Sequence, residues 1–218
     1  MIKFEHTKVE GFEPAIRGMR NPMNSWDKSD SGYRPIYIDG NFEGVEYIIG
    51  ENDLSLMKKL IAAGSDHRKF MRMICVWVDI TAPFYWWKEF DTYKVGTVAN
   101  SCSTMHKIHA KEITLEDFST EHLDEYSLNV LEQNIRNLNI ARQAFNEGKN
   151  KEEWWQMIQG LPMCYNQKRT VMLNYEALMN MYHARKAHKL DEWRELCKWV
   201  ETTLPYSELI TGEKENDR

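Results

Sequence analysis

A helix-rich α+β chain is what the sequence predicts, and three stretches carry the prediction. Ile74-Cys75-Val76-Trp77-Val78 is a near-continuous β-branched and aromatic run, the composition of a strand buried on both faces. Asp39-Gly40-Asn41 separates two short strand-like runs, Tyr37 onward and Val45 to Gly50, as in a hairpin. From Asp124 to Asn146, Leu128, Leu131, Ile135, Leu138 and Ala141 fall on one stripe, an amphipathic helix.

The remaining elements follow in order. KFEHTKVEGF reads as a strand, and MNSWDKSDSGYRP as a loop rich in Ser, Asp, Asn and Gly. Asn52-Asp53 is the expected cap of a helix carrying Leu54, Met57, Leu60 and Ile61 and ending at Gly64. After the central strand, Asp79 to Pro83 breaks the ladder, with Thr81 as cap of an aromatic helix from Phe84 to Lys94. Lys88 and Thr92, four apart, share one face of it. Gly96 is its stop, and TVANSCST is expected as a small-polar loop. IHAKEIT reads as a further strand, and Thr114-Leu-Glu-Asp and Ser119-Thr-Glu-His as helix starts, the first a capping box. GKNKEEWWQMIQG gives a charged turn and a helix, and 165–185 and 190–203 both read as helical. The expected division is one domain over 1–211 and a disordered tail over 212–218.

At 218 residues the chain is long enough to bury a core without help. Its 28 basic and 33 acidic residues, net −5, argue against a general nucleic-acid or membrane-surface binder. Cys75, Cys102, Cys164 and Cys197 lie far apart with no C-x-x-C, which fits reduced thiols in a cytoplasmic protein and no metal site. No apolar run reaches membrane length, and MIKFEHTKVE is no signal peptide. The load of 8 Trp, 10 Tyr and 12 Met exceeds a minimal core and points to a partner subunit or a flat ligand.

NYEALMNMYHAR, from Asn174 to Arg185, together with Leu161-Pro162 before it and HKLDEWRELC after it, resembles the C-terminal helices of flavin-dependent thymidylate synthases. Other pieces fall in that family's order: Ala15-Ile16-Arg17 like its A-x-R segment, Leu54 to Gly64 like its L-x-x-x-L-x-x-x-G helix, and Ala82-Pro83 like the A-P before its signature. His67 takes the place of the histidine in H-x-[ST], with Lys69 in place of the hydroxyl residue. The resemblance covers most of the chain except roughly 18–45 and 143–160, and the signature within it is degraded. Lys88-Glu89-Phe90-Asp91-Thr92-Tyr93-Lys94 lies over the first half of R-Q-x-x-R-H-R, and only Lys94 keeps the charge of R-H-R. Thr97 stands at the serine position; Asn100 and Ser103 fit the N-E-x-S end after one insertion, with the final arginine absent. Glu176 stands where a further arginine is usual.

The resemblance implies a single α+β domain with a small, mostly antiparallel sheet, assembled as a homotetramer with sites at subunit interfaces. It implies flavin adenine dinucleotide (FAD) held by His67, Tyr93, Lys94, Asn100, Asn174 and Asn180. It implies a dUMP-like nucleotide held by Lys88, Glu89, Thr97, Ser103 and Arg185, no identified catalytic side chain, and methylene-tetrahydrofolate and NADPH as co-substrates. The implied activity is transfer of a one-carbon unit to C5 of the pyrimidine; the alternative is a catalytically inactive nucleotide-binding or structural homo-oligomer. Each arginine lost from a phosphate contact weakens binding by about ten- to a hundredfold, so the degraded signature weighs toward the alternative.

The residues read on their own leave further choices open. Asn174, Leu178, Met181 and Arg185 share a helical stripe that suits a pocket wall, or an interface where Arg185 meets a carboxylate. His67 reads as a surface or capping histidine as well as a ligand contact. Phe84 to Trp87 suit either stacking on a flat ring or core packing, and Cys102 has no His–Asp partner at nucleophile spacing. Arg68, Lys69 and Arg72 are a solvated face or a phosphate site.

Overall fold

The computed structural model describes residues 2–212, so 213–218 of the expected tail lie outside the described residues. In chain order the elements are β1 (Lys3–Glu10), α1 (Phe12–Arg20), β2 (Gly32–Ile38), β3 (Asn41–Ile48), α2 (Glu51–Ala62), β4 (Cys75–Pro83) and α3 (Phe84–Phe90). There follow β5 (Val98–Ser101), α4 (Thr104–Lys107), α5 (Glu125–Gly148), α6 (Lys151–Gly160), β6 (Asn166–Asn174), α7 (Tyr175–Arg185), α8 (Asp191–Thr203) and α9 (Glu208–Thr211). This is the helix-rich α+β class expected. The chain forms two compact units, one of 2–6, Val78–Lys94 and Val98–Val171, the other of Thr7–Trp77, Val95–Thr97 and 172–212.

The first unit holds β5 and its share of the sheet ordered β1-β4-β6-β5. Its helical core is the stripe foreseen on α5: Leu131, Ile135, Leu138 and Ala141 close over Met157 of α6 and Ile108, Ile113 and Phe118. Burying such side chains contributes about 1.5–3 kcal/mol each. Asp124 caps α5 by accepting from the Ser127 N–H, and Thr114 with Asp117 forms the foreseen capping box. In α3, Trp86, Trp87 and Phe90 are fully buried and packed ring against ring, the core reading of that aromatic run.

The second unit packs α1, α2 and α7 around the 3-10 turn Arg68–Met73, with α8 and α9 closing over α7. Gly11 opens α1 at φ +103, and a Cβ there would meet the Met73 carbonyl at 2.1 Å, so only glycine permits this approach. A buried ion pair, Arg20 Nε to Asp53 Oδ1 at 2.6 Å, is completed by the Ser29 and Ser31 hydroxyls on Asp53. Its partners are thus saturated, as a buried pair requires.

Several local expectations are corrected. Asp53 is not a cap: Asp30 reaches back from the loop and accepts from the Asn52 and Asp53 N–H groups. Part of that loop is strand, since β2 begins at Gly32. β4 continues through Asp79 to Pro83, and its burial alternates, Val76, Val78 and Ile80 inward with Trp77 exposed, so only one face is buried throughout. Thr81 does not cap α3. Its first N–H groups, Phe84 and Tyr85, donate instead to the Tyr165 and Met163 carbonyls at 3.0 and 3.1 Å. The helix ends at Phe90, four residues early, and Thr92 Oγ1 donates to the Glu89 carbonyl beyond its end. TVANSCST contains β5 and starts α4, IHAKEIT is irregular, and Ser119 starts no helix. Residues 166–174, expected as helix, form β6; Val171 and Leu173 alternate inward, a period hidden by the polar start NQKRT.

Candidate functional site

A cleft of about 930 Å³ opens in the first unit. Its walls come from Lys3 of β1, Thr81 of β4, the Cys102 to Lys111 turn and Tyr165 to Lys168 at the start of β6. The turn is fixed by backbone ties to β6: the Cys102 N–H donates to the Lys168 carbonyl at 2.9 Å, and Gln167 Nε2 donates to the Cys102 carbonyl at 2.9 Å. Gln167 is itself buried, its carbonyl accepting from Trp87 Nε1 and its Oε1 from Arg169 Nε. Ser103 Oγ caps α4 by accepting from the His106 N–H at 3.1 Å.

The cleft carries four lysines. Lys111 pairs with Asp117, and Lys168 sits 3.0 Å from Glu5 and 3.3 Å from Asp79. A hydrogen bond from Thr170, then the contacts of Lys168, hold Asp79 below the ordinary carboxylate range. Lys3 and Lys107 make no ion pair with any described residue. Tyr165 stands between the rings of Phe84 and Phe118, at 5.5 and 5.6 Å, and burial pushes its phenol up. Two unpaired ammoniums, hydroxyls and an aromatic wall suit an anionic ligand with a flat ring. Among the described residues no cluster of His, Cys, Asp and Glu is placed to hold a metal.

A second polar locus lies in the second unit, at the start of α7. Asn174 is the N-cap, its Oδ1 accepting from the Ala177 N–H at 2.9 Å. Its Nδ2 lies 2.5 Å from where a Cβ on Gly96 would stand, and Gly96 has φ +72. Beside Gly96, Thr97 Oγ1 is buried with no hydrogen-bond partner among the described residues. Glu176, in the first turn of α7, is gripped by Arg68 at 3.3 Å and by Arg72. Burial alone raises a carboxyl, yet the hydrogen bonds and charge of Arg72 and Arg68 outweigh it and hold Glu176 below its ordinary range. Of the Arg68, Lys69 and Arg72 cluster, both arginines therefore share one carboxylate, while Arg72 and Lys69 remain exposed to solvent.

The expected site residues divide between the units. His67, Thr97, Asn174, Asn180 and Arg185 belong to the second; Lys88, Glu89, Tyr93, Lys94, Asn100 and Ser103 belong to the first. His67, Lys88, Lys94, Asn100 and Asn180 are exposed, and Ser103 lines the cleft. Thr97 and Asn174 come together through Gly96. Leu178 and Met181 are fully buried, so the stripe between Asn174 and Arg185 faces the core, and the Arg185 guanidinium lies 4.7 Å over Trp193. Sequence reasoning missed Lys3, Lys107, Tyr165 and Gln167; the signal for the last two was β6, hidden inside an expected helix.

No sequence-family model matches the chain, and no curated protein matches it. Solved structures do. The chain is similar to flavin-dependent thymidylate synthase ThyX from Helicobacter pylori, a structure complexed with FAD and dUMP, at TM-score 0.66 and 17% identity over 97% of both chains. It is also similar to a UMP/dUMP methylase, PolB, from Streptomyces cacaoi, bound with 5-Br dUMP, at TM-score 0.56 and 13% identity, covering 93% of this chain and 89% of that one. The chain has the flavin-dependent thymidylate synthase fold.

Proposed function

We propose that this chain binds a flavin and a dUMP-like pyrimidine nucleotide and transfers a one-carbon unit to C5 of the pyrimidine. The observation that carries the reading is the cleft of the first unit. On this fold, Lys3 and Lys107 make no ion pair with a described residue and lie in a cleft with Ser103 and the Tyr165 ring, a setting for a phosphate joined to a planar base, although Glu116, Asp117 and Glu121 also line it. Lys88, Glu89, Thr97, Ser103 and Arg185 are the proposed nucleotide residues. His67, Tyr93, Lys94, Asn100, Asn174 and Asn180 are the proposed flavin residues.

The chain's polar groups fit a flavin in donor chemistry. His67, Lys94, Asn100 and Asn180 are exposed side chains rich in donors, and the orphaned buried hydroxyl of Thr97, itself a proposed nucleotide contact, lies next to Gly96, which approaches the Asn174 amide. When bound, the flavin supplies the electron chemistry that side chains lack. The protein's part is to bind, orient and exclude water. Methylene-tetrahydrofolate and NADPH are the proposed co-substrates, a cytoplasmic homotetramer with sites at subunit interfaces the proposed assembly. No helix among the described residues is long and apolar enough to cross a membrane.

A second reading is a catalytically inactive nucleotide binder, and Glu176 favours it, because it engages two arginines that would otherwise serve an anion. dUMP carrying tritium at C5 separates the two. Flavin- and folate-dependent release of tritium supports the enzyme. Protection from thermal unfolding by dUMP without tritium release supports the inactive binder, and neither effect overturns both.

A further inference from the structure

The stretch 102–109, which supplies one wall of the cleft, is too short to hold its own shape. Its helix α4 spans only Thr104–Lys107, and a single helical turn does not repay its nucleation cost in isolation. Its shape therefore comes from what grips it. Side chains of three elements each donate to one of its carbonyls: Gln167 of β6 to Cys102 at 2.9 Å, Trp154 of α6 to Met105 at 2.9 Å, and Asn146 of α5 to His109 at 3.1 Å. Of these three donors only Gln167 is buried, at 8% exposed.

Gln167 also stands on a line of further contacts. Arg169 Nε donates to Gln167 Oε1 at 3.0 Å, and Arg169 Nη1 meets Asp91 Oδ1 at 2.7 Å just past the end of α3. The Arg169 guanidinium lies 4.2 Å over the Trp87 ring, whose Nε1 donates to the Gln167 carbonyl at 2.9 Å. The chemistry along this line is forced. A guanidinium only donates and a carbonyl only accepts, so the group between them must accept on one side and donate on the other. An amide does both while neutral, and accepting from a cation polarises it, which strengthens its own N–H as a donor.

The far end of the line reaches the cleft. Cys102 is held on both backbone groups, since its N–H donates to the Lys168 carbonyl while its carbonyl accepts from Gln167. Ser103 follows directly, and the Lys107 N–H donates to the Ser103 carbonyl at 3.1 Å, so a displacement at Cys102 passes to Lys107 within one turn. Gln167, Ser103 and Lys107 line the cleft; Arg169 does not.

We propose that Gln167, set by Arg169, is a positioning residue of the nucleotide cleft: it fixes the Cys102 carbonyl and thereby the turn that carries Ser103 and Lys107. Holding these groups in place before the ligand arrives removes an ordering cost from binding. The inference rests on the cleft being the nucleotide site.

The test is a double-mutant cycle in the full chain: Gln167→Met, Arg169→Met and both together. Calorimetry reads dUMP affinity, hydrogen exchange without ligand reads the turn, and urea unfolding reports that each variant folds. Gln167→Met is expected to weaken dUMP binding by about tenfold and to speed exchange at the Cys102, His106 and Lys107 amides by a similar factor, with α5 unchanged. Arg169→Met is expected to weaken dUMP binding by about threefold from outside the cleft, and the double variant no more than Gln167→Met alone. Additive losses overturn the proposal, because independent structural defects add. So does a folded Gln167→Met that binds dUMP as the wild type does, or one whose turn amides keep their protection. If Gln167→Met does not fold, Arg169→Met decides alone, and unaltered affinity and exchange overturn the proposal. A wild type without affinity for dUMP is a separate result, which overturns the nucleotide reading of the cleft and this inference with it.

Discussion

The cleft of the first unit and the α7 terminus of the second both gather cations, and they differ in what those cations meet. At α7, Arg68 and Arg72 share Glu176, so each guanidinium already has a carboxylate partner within the chain. In the cleft, Asp117 answers Lys111 while Lys3 and Lys107 stay unanswered. A basic cluster in a sequence is therefore not yet an anion site. What decides is whether the fold brings a carboxylate into contact with it, and here both arginines of the conspicuous cluster have such a contact while two lysines of the dispersed one do not.

The largest effect that sharpens this contrast is on nucleotide affinity. Lys107→Ala and Lys3→Ala are each expected to weaken dUMP binding, measured calorimetrically, by at least about tenfold, with unfolding unchanged; unaltered affinity removes the cleft from the site. Next comes Gly96→Ala, which forces a side chain at φ +72 against the Asn174 amide. It is expected to cost about 1–3 kcal/mol in urea unfolding; a neutral result means that the approach of 95–97 to the α7 cap is not required. Glu176→Gln is expected to lose about 1–2 kcal/mol and to make the protein responsive to phosphate, which then raises its melting temperature more than chloride at equal ionic strength. Equal responses in wild type and variant contradict the closed-site account.

The smallest effect is in pH. Because Glu176 is held below its ordinary range, its contribution is fully present above the unfolded carboxylate value and is lost as pH falls through the depressed folded value. Below about pH 4 the wild type is therefore expected to lose stability more steeply than Glu176→Gln. Parallel curves break that link.

Elements with a strong single period were legible in the sequence. The α5 stripe, the Asp39-Gly40 hairpin and the Thr114 capping box needed only local rules. What stayed hidden depended on residues distant in the chain. Asp53 looked like a cap because nothing local revealed that Asp30 caps α2 and that Arg20 claims Asp53. β6 looked helical because its buried alternation begins only at Val171, after a run of polar residues whose partners lie on other strands. The resemblance assigned Asn174 to the flavin and Thr97 to the nucleotide, and only the fold shows Gly96 carrying Thr97 up to the α7 cap, while Glu176, seen only as a missing arginine, is the residue that both Arg68 and Arg72 meet.

The most direct test of the flavin-and-nucleotide reading is the visible absorption spectrum of the purified protein, followed by chromatography of what heat releases. The account predicts a flavin spectrum and released FAD, or uptake of added FAD by the apoprotein with a shifted spectrum. A colourless protein that leaves added FAD unbound contradicts it.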